Sequence, residues 1–377
     1  MSRQIDVRDG PSDVWQAYQE ITPSVDFHVP YAFGKIVDTS GAQTPRLKSK
    51  AADLAADARF GPLFWAMARD VAVNNLGNLV VPAGDDGEET LIVDTGQQTP
   101  DYLSMTEHSF DPARETLHIE EALPLVRPGD HIYGHWLIDI LPKLWLFLQA
   151  NDLGGTKLIL RHNTPAFARK MLAFLGIGKE SLVYFNHNLH NMRVDRAFYV
   201  TNLRKNQMVH PMMAEFSDAW CRTLLKDAPE GSQRTAAGSG KKVFISRGTW
   251  QKPHQHRVCQ NNAEIEAQVA AFGDWTIYHP QKYSFSQQAA VFSEAEVIMG
   301  EEGSGMHNSL LMPKGAEVVT LRSPYNHSMI QGGLCRVRRQ SEHVVFGAIG
   351  AEEKANRNAN FSVDPALLRE IQANLGN

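Results

Sequence analysis

Cysteine is scarce in this chain of 377 residues, with three in all and no CxxC pair. Such a set builds neither a disulfide framework nor a thiolate zinc site, so we expect a reducing, cytoplasmic setting. Long apolar runs are missing too, because the longest, over residues 135–148, is interrupted by Asp139, Pro142 and Lys143 and is far shorter than the roughly 20 residues that span a bilayer. The amino terminus lacks the apolar segment of a secretory signal, so we expect neither export by that route nor a transmembrane segment.

Neither sign of charge is in excess. The 37 Lys and Arg residues face 42 Asp and Glu residues, and the formal net charge is −5. This balance gives no global attraction to nucleic acid or to an anionic membrane, so an anionic ligand must meet a local cluster of cations. Glycine and proline occur at near-average frequency, which excludes fibrous and disordered classes. The length predicts about two domains and leaves the oligomeric state open.

Strand and helix patterns alternate along the chain and predict an α/β fold with parallel, doubly wound sheets. A hairpin or meander pattern begins near residue 70, and alternating strands and helices follow it. The alternation restarts after a stretch rich in Gly, Ser and Ala. The predicted divisions are an amino-terminal elaboration over residues 1–60, an α/β domain with a β-hairpin region over 61–227, a linker over 228–242, a second α/β domain over 243–350, and an amphipathic terminal helix over 364–375.

A glycine-rich turn follows the strand predicted at residues 297–300. Gly300, Gly303 and Gly305 precede a predicted helix over 305–312, so they permit a tight turn and close ligand approach at a helix N-terminus that presents free amides. The spacing is GxxGxG, which matches neither the Walker A motif nor the GxGxxG fingerprint. The pattern predicts an anion site, although purely structural crossovers also use such turns.

Cations cluster after the strand predicted at residues 243–246. Arg247 leads into a loop that carries Lys252, His254, His256 and Arg257. In open α/β folds ligands bind at the carboxyl end of the sheet, and arginines near a helix N-terminus suit a pyrophosphate. The alternative is a solvated loop whose charges aid solubility. The two histidines lack an acidic companion at ligand spacing, so we expect no metal site.

An apolar helix predicted over residues 133–150 contains two ionisable residues on one face. His135 and Asp139 are four residues apart, and burying them costs several kcal/mol unless they are paired or used. One interpretation is a hydrogen-bonded pair that braces the core. The other is a general base with a partner that orients it.

These three segments together resemble glycosyltransferase family 61. The family's first motif, H-W-x-x-D-x-L-P, is matched by His135, Trp136, Asp139, Leu141 and Pro142. Its arginine-containing segment, which ends in Asn and Glu before a helix, is matched by Ser246, Arg247, Arg257, Asn262 and Glu264. Its third motif, G-x-H-G-A-G-L-x-N, is similar to GEEGSGMHN over 300–308. The resemblance extends over residues 130–321, and the motifs come in the family's order.

The chain departs from the family pattern at four positions. Glu302 replaces the usual His, Ser304 replaces Ala, Met306 replaces Leu, and the Glu that commonly follows Asn is displaced to Glu264. These departures widen the range of sugars that the donor could carry.

The resemblance implies a GT-B architecture, with two Rossmann-like domains facing across a cleft and the terminal helix crossing back to the first domain. It also implies inverting transfer of a sugar from a nucleotide-sugar donor to a hydroxyl of a glycan or glycolipid, in polysaccharide biosynthesis of the bacterial type. No metal at a DxD motif and no other cofactor is implied. We therefore expect a cytoplasmic protein that contacts the inner face of the membrane through its glycan or glycolipid acceptor.

The implied base is His135 or Asp139, and the sequence leaves the choice open. The residues implied to bind the donor are Arg247, Lys252, Arg257, Glu302, Gly303, Ser304, Gly305, Met306, His307 and Asn308. Two other functions stay open at this point: a catalytically inactive GT-B-like protein that binds carbohydrate or nucleotide, and a sugar-nucleotide epimerase.

Overall fold

The computed structural model describes residues 3–6, 14–82, 89–93, 111–228, 241–249, 257–352 and 355–376. Most of the predicted linker, residues 229–240, lies outside the described residues, as do Lys252, His254 and His256.

Nineteen strands and nine helices occur in the described part of the chain. The strands are β1 (Arg3–Asp6), β2 (Ala17–Thr22), β3 (Val25–Phe27), β4 (Phe33–Val37), β5 (Ala58–Phe60), β6 (Leu63–Val73), β7 (Leu79–Val81), β8 (Thr90–Val93), β9 (Glu115–Pro124), β10 (Lys157–Arg161), β11 (Leu182–Phe185), β12 (His190–Val200), β13 (Arg204–Lys205), β14 (Met208–Val209), β15 (Lys242–Ile245), β16 (Trp275–Tyr278), β17 (Val297–Glu301), β18 (Glu317–Arg322) and β19 (Ser341–Phe346). The helices are α1 (Gln43–Ala55), α2 (Tyr133–His135), α3 (Leu141–Ala150), α4 (Ala166–Phe174), α5 (Met212–Leu225), α6 (Asn262–Ala270), α7 (Phe285–Phe292), α8 (Ile330–Arg338) and α9 (Pro365–Gln372).

The chain forms two compact units whose limits differ from the predicted divisions. The first comprises Met1–Asp26 and Arg59–Asn206, and the second comprises Phe27–Ala58 and Gln207–Asn377. The change of unit after residue 206, rather than at the predicted linker, places α5 in the second unit. This helix packs on α7 there, and its Ser217 hydroxyl donates a hydrogen bond to the backbone oxygen of Leu310.

The first unit is built on a mixed sheet with the order β1-β8-β7-β6-β12-β9-β10-β11, in which β2 also pairs with β6. Its β6-β7-β8 part is antiparallel and confirms the predicted meander, whereas β12, β9, β10 and β11 are parallel neighbours. The helical segment before β10 and the helix α4 after it make the connections between parallel strands, as the alternation predicts.

The second unit has a wholly parallel sheet with the order β16-β15-β17-β18-β19-β4. If β15 to β19 are renumbered 1 to 5 in chain order, they lie in the sheet in the order 2-1-3-4-5. This is a doubly wound order, and it differs from the dinucleotide-binding order 3-2-1-4-5-6. The strands predicted at residues 243–246 and 297–300 are confirmed as β15 and β17, and one predicted helix differs. Ser304–Leu311 forms a 3₁₀ helix where an α-helix was predicted over 305–312.

Residues 1–60 are not a separate elaboration. The strand β2 pairs with β6 in the first unit, and β4 extends the parallel sheet of the second. Pro45 lies in the first turn of α1, where no intrahelical hydrogen bond requires the backbone N–H that proline lacks. The Asp38 carboxylate accepts hydrogen bonds from the amides of Gln43 and Thr44, each at 2.8 Å, and so caps this helix.

The terminal helix α9 packs on elements of the second unit. Its apolar face contributes Leu368 and Ile371, both fully buried, to the core shared with α6 and the parallel sheet. The predicted amphipathic pattern is therefore confirmed, but the face is covered by α6, β4 and β19.

Candidate active site

The helical segment that carries the first motif contains a widened turn. Trp136–Ile140 forms a π-helix between α2 and α3, in which the amide of Leu141 donates to the carbonyl of Trp136, five residues earlier. Pro142 follows directly, and its ring would clash with the carbonyl of Ile138 in a regular α-turn. Single π-turns of this kind are frequent at functional sites. This one contains Asp139.

The Asp139 carboxylate is fully buried, and the side chains of Arg204, Arg127 and His135 lie against it. Arg204 approaches it in a bidentate manner, with Nε 2.8 Å from Oδ1 and Nη2 2.9 Å from Oδ2. Arg127 places Nη1 2.9 Å from Oδ2, and Nδ1 of His135 lies 2.7 Å from the same oxygen. Burial alone would raise the pKa of Asp139, but the two arginines and the His135 hydrogen bond hold it well below its ordinary value. Asp139 is therefore a permanent anion and a poor general base.

The same contact determines which nitrogen of His135 carries the proton. An ionised carboxylate only accepts hydrogen bonds, so Nδ1 of the neutral imidazole must donate to Asp139 and Nε2 is left with its lone pair. The His135 side chain is 28% exposed, whereas that of Asp139 is 0% exposed. Within this pair the His135 ring therefore reaches solvent, whereas the carboxylate that orients it does not.

The turn before α2 is shaped to receive the imidazole. Gly129 adopts φ +82°, and a Cβ on it would lie 2.6 Å from Cδ2 of His135. The neighbouring Asp130 carboxylate accepts from Nε of Arg161 at 2.9 and 3.1 Å, and its carbonyl accepts from Nε1 of Trp136 at 2.7 Å. These bonds fix the turn against the end of β10.

Sequence reasoning missed both arginines of this cluster. Arg204 lies on β13, 65 residues after Asp139, and no spacing rule connects the two. Arg127 carried a usable signal, since it follows β9 at the carboxyl end of a parallel strand, where functional side chains collect.

A second cluster lies in the other unit, at the carboxyl ends of β15 and β17. The strand order reverses between these two strands, and open α/β sheets bind ligands at such a switch point. Arg247 follows β15, and Glu301 ends β17. Nη1 of Arg247 is 3.3 Å from Oε2 of Glu301.

Carboxylates accompany the predicted cations of this cluster. Nη1 of Arg257 lies 3.5 Å from Oε2 of Glu302, which also accepts from Nδ2 of Asn326 at 2.5 Å. The Glu301 side chain is 2% exposed, and burial raises its pKa against the lowering effects of Arg247 and of the Cys259 amide. Glu301 and Asn326 were not predicted, because the motif comparison centred on the glycines and on position 302.

The glycine-rich turn has the backbone freedom that the motif predicts. Gly303 adopts φ 150° and ψ −167°, a conformation open to glycine. At Gly300 a Cβ would lie 2.9 Å from the carbonyl of Ile245 and 3.0 Å from Sδ of Met306, so β15 and β17 pack closely there. Ser304 and Gly305 open the 3₁₀ helix beside the end of β15.

The remaining predicted donor residues of the third motif are buried beneath that turn. Nδ1 of His307 is 3.1 Å from Oε1 of Gln331, and Nδ2 of Asn308 donates to the carbonyl of Gly305 at 3.0 Å. Met306 is 1% exposed. The side chains of Met306, His307 and Asn308 therefore pack beneath the glycine-rich turn. The backbone of that turn is the part that a ligand could contact. Glu264, on the first turn of α6, accepts from Nδ2 of Asn261 at 3.1 Å.

Within the described ranges, no group of three or more His, Cys, Asp and Glu side chains is arranged to hold a metal ion. No described helix has the length and apolarity to cross a membrane.

The fold and the two clusters together define an α/β protein with a carboxylate-oriented histidine in one unit and an arginine-bearing switch point in the other. The model of the family Glycosyltransferase 61 matches residues 133–319, about half of the chain, which include His135, Asp139 and Arg204 of the first cluster and Arg247, Glu301 and Glu302 of the second. The chain belongs to this family. No curated protein matches the chain in sequence.

Proposed function

We propose that the protein is an inverting glycosyltransferase that moves a sugar from a nucleotide-sugar donor to a hydroxyl of a glycan or glycolipid. The observation that carries the proposal is the His135–Asp139 pair, whose geometry leaves Nε2 as a proton acceptor. Family membership supports glycosyl transfer as the activity. A GT-B arrangement of the two units and a role in bacterial-type polysaccharide synthesis at the inner face of the membrane are parts of this proposal.

In the proposed step, Nε2 of His135 takes the proton of the acceptor hydroxyl while its oxygen bonds to the anomeric carbon. The bond from that carbon to the donor diphosphate breaks on the opposite face, so the configuration inverts. Asp139 stabilises the imidazolium that forms, because its negative charge lies 2.7 Å from Nδ1. Arg127 and Arg204 keep that charge in place.

The diphosphate gains negative charge as it leaves, and cations with backbone donors can stabilise it. Arg247 and the Gly303–Gly305 turn meet at the switch point of the second unit, which supports this position for the diphosphate. Lys252 and Arg257 are proposed as further cations. We propose a metal-independent reaction in which these groups supply the charge that a divalent ion supplies elsewhere.

A panel of sugar nucleotides, incubated with and without glycan and glycolipid acceptors, tests the function. Release of free nucleoside diphosphate that depends on acceptor, with a product of inverted anomeric configuration, is the expected result. The His135→Ala variant is the matched control, because it removes the proposed base while Arg247 and the glycine-rich turn stay in place.

One observation favours a second candidate, a protein that binds a sugar nucleotide without turning it over. Arg247 and Arg257 each lie beside a carboxylate, and Glu302 replaces the family's histidine. Binding of a sugar nucleotide with no acceptor-dependent release would support that candidate, and an isomerised donor would indicate an epimerase.

A further inference from the structure

Glu301 is a buried carboxylate with one unsatisfied oxygen. Its side chain is 2% exposed, and Oε1 has no hydrogen-bond partner among the described residues. Oε2 accepts from the amide of Cys259 at 3.0 Å and lies 3.3 Å from Nη1 of Arg247. A buried charge held in this way depends on its cation, because a single backbone donor does not replace the hydration that the carboxylate has lost.

Arg247, the cation of this pair, is also the residue that the proposed function assigns to the donor diphosphate. A guanidinium that turns its donors to a diphosphate weakens its contact with Glu301. The carboxylate then either stays ionised without its cation or takes up a proton. In a buried site the neutral acid is the less costly state.

We propose that Glu301 is a further donor-site residue, which holds Arg247 by an ion pair and takes up one proton at Oε1 when a diphosphate engages the Arg247 guanidinium. The inference rests on the proposed function, because it requires a donor diphosphate at Arg247. The proton comes from solvent, no other bond is made or broken, and it leaves again when the diphosphate departs. The proton neutralises the buried carboxylate once Arg247 has turned to the ligand.

The surroundings of Glu301 favour this site over its neighbours as the proton acceptor. The charged and titratable side chains at the carboxyl ends of β15, β17 and β18 and in the segments after them include Arg247, Arg257, Cys259, Glu302, His307 and Arg322, and Glu264 lies near Cys259. Burial and the nearby Glu301 charge raise the pKa of the Cys259 thiol to about 12, so it stays neutral. Glu302 has Asn326 and Arg257 as partners, and the fully buried Arg322 is bound to Glu342.

The direction of the pH dependence follows from the change in Glu301. Its pKa is already above the ordinary value in the structure, and loss of Arg247 raises it further in the complex. Nucleotide binding is therefore strongest below the pKa that Glu301 has in the free protein. It weakens as the pH rises from that value towards the pKa of Glu301 in the complex, by up to about tenfold per pH unit. Protons exchanged by the nucleotide phosphates or by histidines are common to the parent and Glu301→Gln, so the difference between the two proteins isolates Glu301.

Calorimetric titration of the full chain with UDP, GDP, ADP and CDP measures the coupling directly. Each titration is run at intervals from pH 6 to 9, at each pH in two buffers whose ionisation enthalpies differ, and the dissociation constants are followed over the same range. We expect the parent to take up more protons than Glu301→Gln, by at most one per nucleotide, and to bind more weakly at higher pH. Glu301→Gln should lack this extra uptake and the pH dependence that accompanies it, while Glu296→Gln, an exposed change at the other end of β17, should leave both intact.

The outcomes separate this inference from the proposed function. Nucleotide binding without proton uptake, or with equal uptake in the parent and Glu301→Gln, overturns the role of Glu301 and leaves the donor site standing. If none of the four nucleotides binds, the proposed donor site is contradicted, and the inference about Glu301 is contradicted as well. Should Glu301→Gln fail to fold, infrared difference spectra of the parent with and without nucleotide replace it: a protonated-carboxyl C=O band that appears on binding supports the proton uptake by Glu301, and its absence overturns it.

Discussion

Replacing Arg204 with glutamine tests the buried ion pair that holds Asp139. Arg204 makes two charge-assisted hydrogen bonds, at 2.8 and 2.9 Å, and its side chain is 8% exposed. Two such bonds contribute about 3 kcal/mol or more, and breaking a buried pair by removing one partner costs about 3–5 kcal/mol. For a unit of this size we expect the melting temperature of the first unit to fall by about 6–20 °C.

Thermal unfolding followed by tryptophan fluorescence is the assay, since Trp136 is buried beside the pair. The control is Arg59→Gln, because the Arg59–Asp26 pair is exposed at 3.9 Å and such surface pairs contribute about 0–1 kcal/mol. Combining Arg204→Gln with Asp139→Asn should cost less than the sum of the single changes by about 0.5–3 kcal/mol. Equal melting of the parent and Arg204→Gln, or strict additivity in the double variant, would refute the reasoning.

Three further predictions concern the two clusters. Gly129→Ala should lower kcat by tenfold or more while the dissociation constant of the donor is unchanged, because a Cβ would displace the His135 ring; parental kcat in a folded variant would contradict this. Arg247→Ala should weaken nucleotide binding by about 1.5–3 kcal/mol in calorimetry, and unchanged affinity would remove Arg247 from the donor site. Turnover should survive EDTA, whereas loss that magnesium or manganese restores would show that the reaction needs a metal.

The regular elements of the doubly wound unit were predictable from the sequence because apolar runs and turn residues mark them locally. The strands β15 to β18 and the helices α6 and α7 are examples. The position of β4 was not predictable, because a short strand near residue 35 pairs with β19 some 300 residues later, and no local pattern encodes that contact. The 3₁₀ geometry of Ser304–Leu311 was missed for a related reason, since apolar spacing over eight residues does not separate a 3₁₀ helix from an α-helix.

The candidate site was predictable only in part. The spacing of His135 and Asp139 on a helix predicts their contact, and the structure confirms it at 2.7 Å. The argument for His135 as the proposed base depends on Arg127 and Arg204, which approach from other segments of the chain and keep Asp139 ionised. The contact of Arg204 with Asp139 carries no signal in a single sequence, whereas the position of Arg127 after β9 is a usable but indirect one.

The central claim is that His135 is the base of a glycosyl transfer and Asp139 its orienting partner. The most direct measurement is kcat for acceptor-dependent release of nucleoside diphosphate in the parent, His135→Ala and Asp139→Asn, each shown by calorimetry to bind donor. We predict a loss of about 100-fold or more for His135→Ala and a measurable residual rate for Asp139→Asn. The reverse order would assign the base to Asp139, and parental rates in both variants would show that the pair is structural.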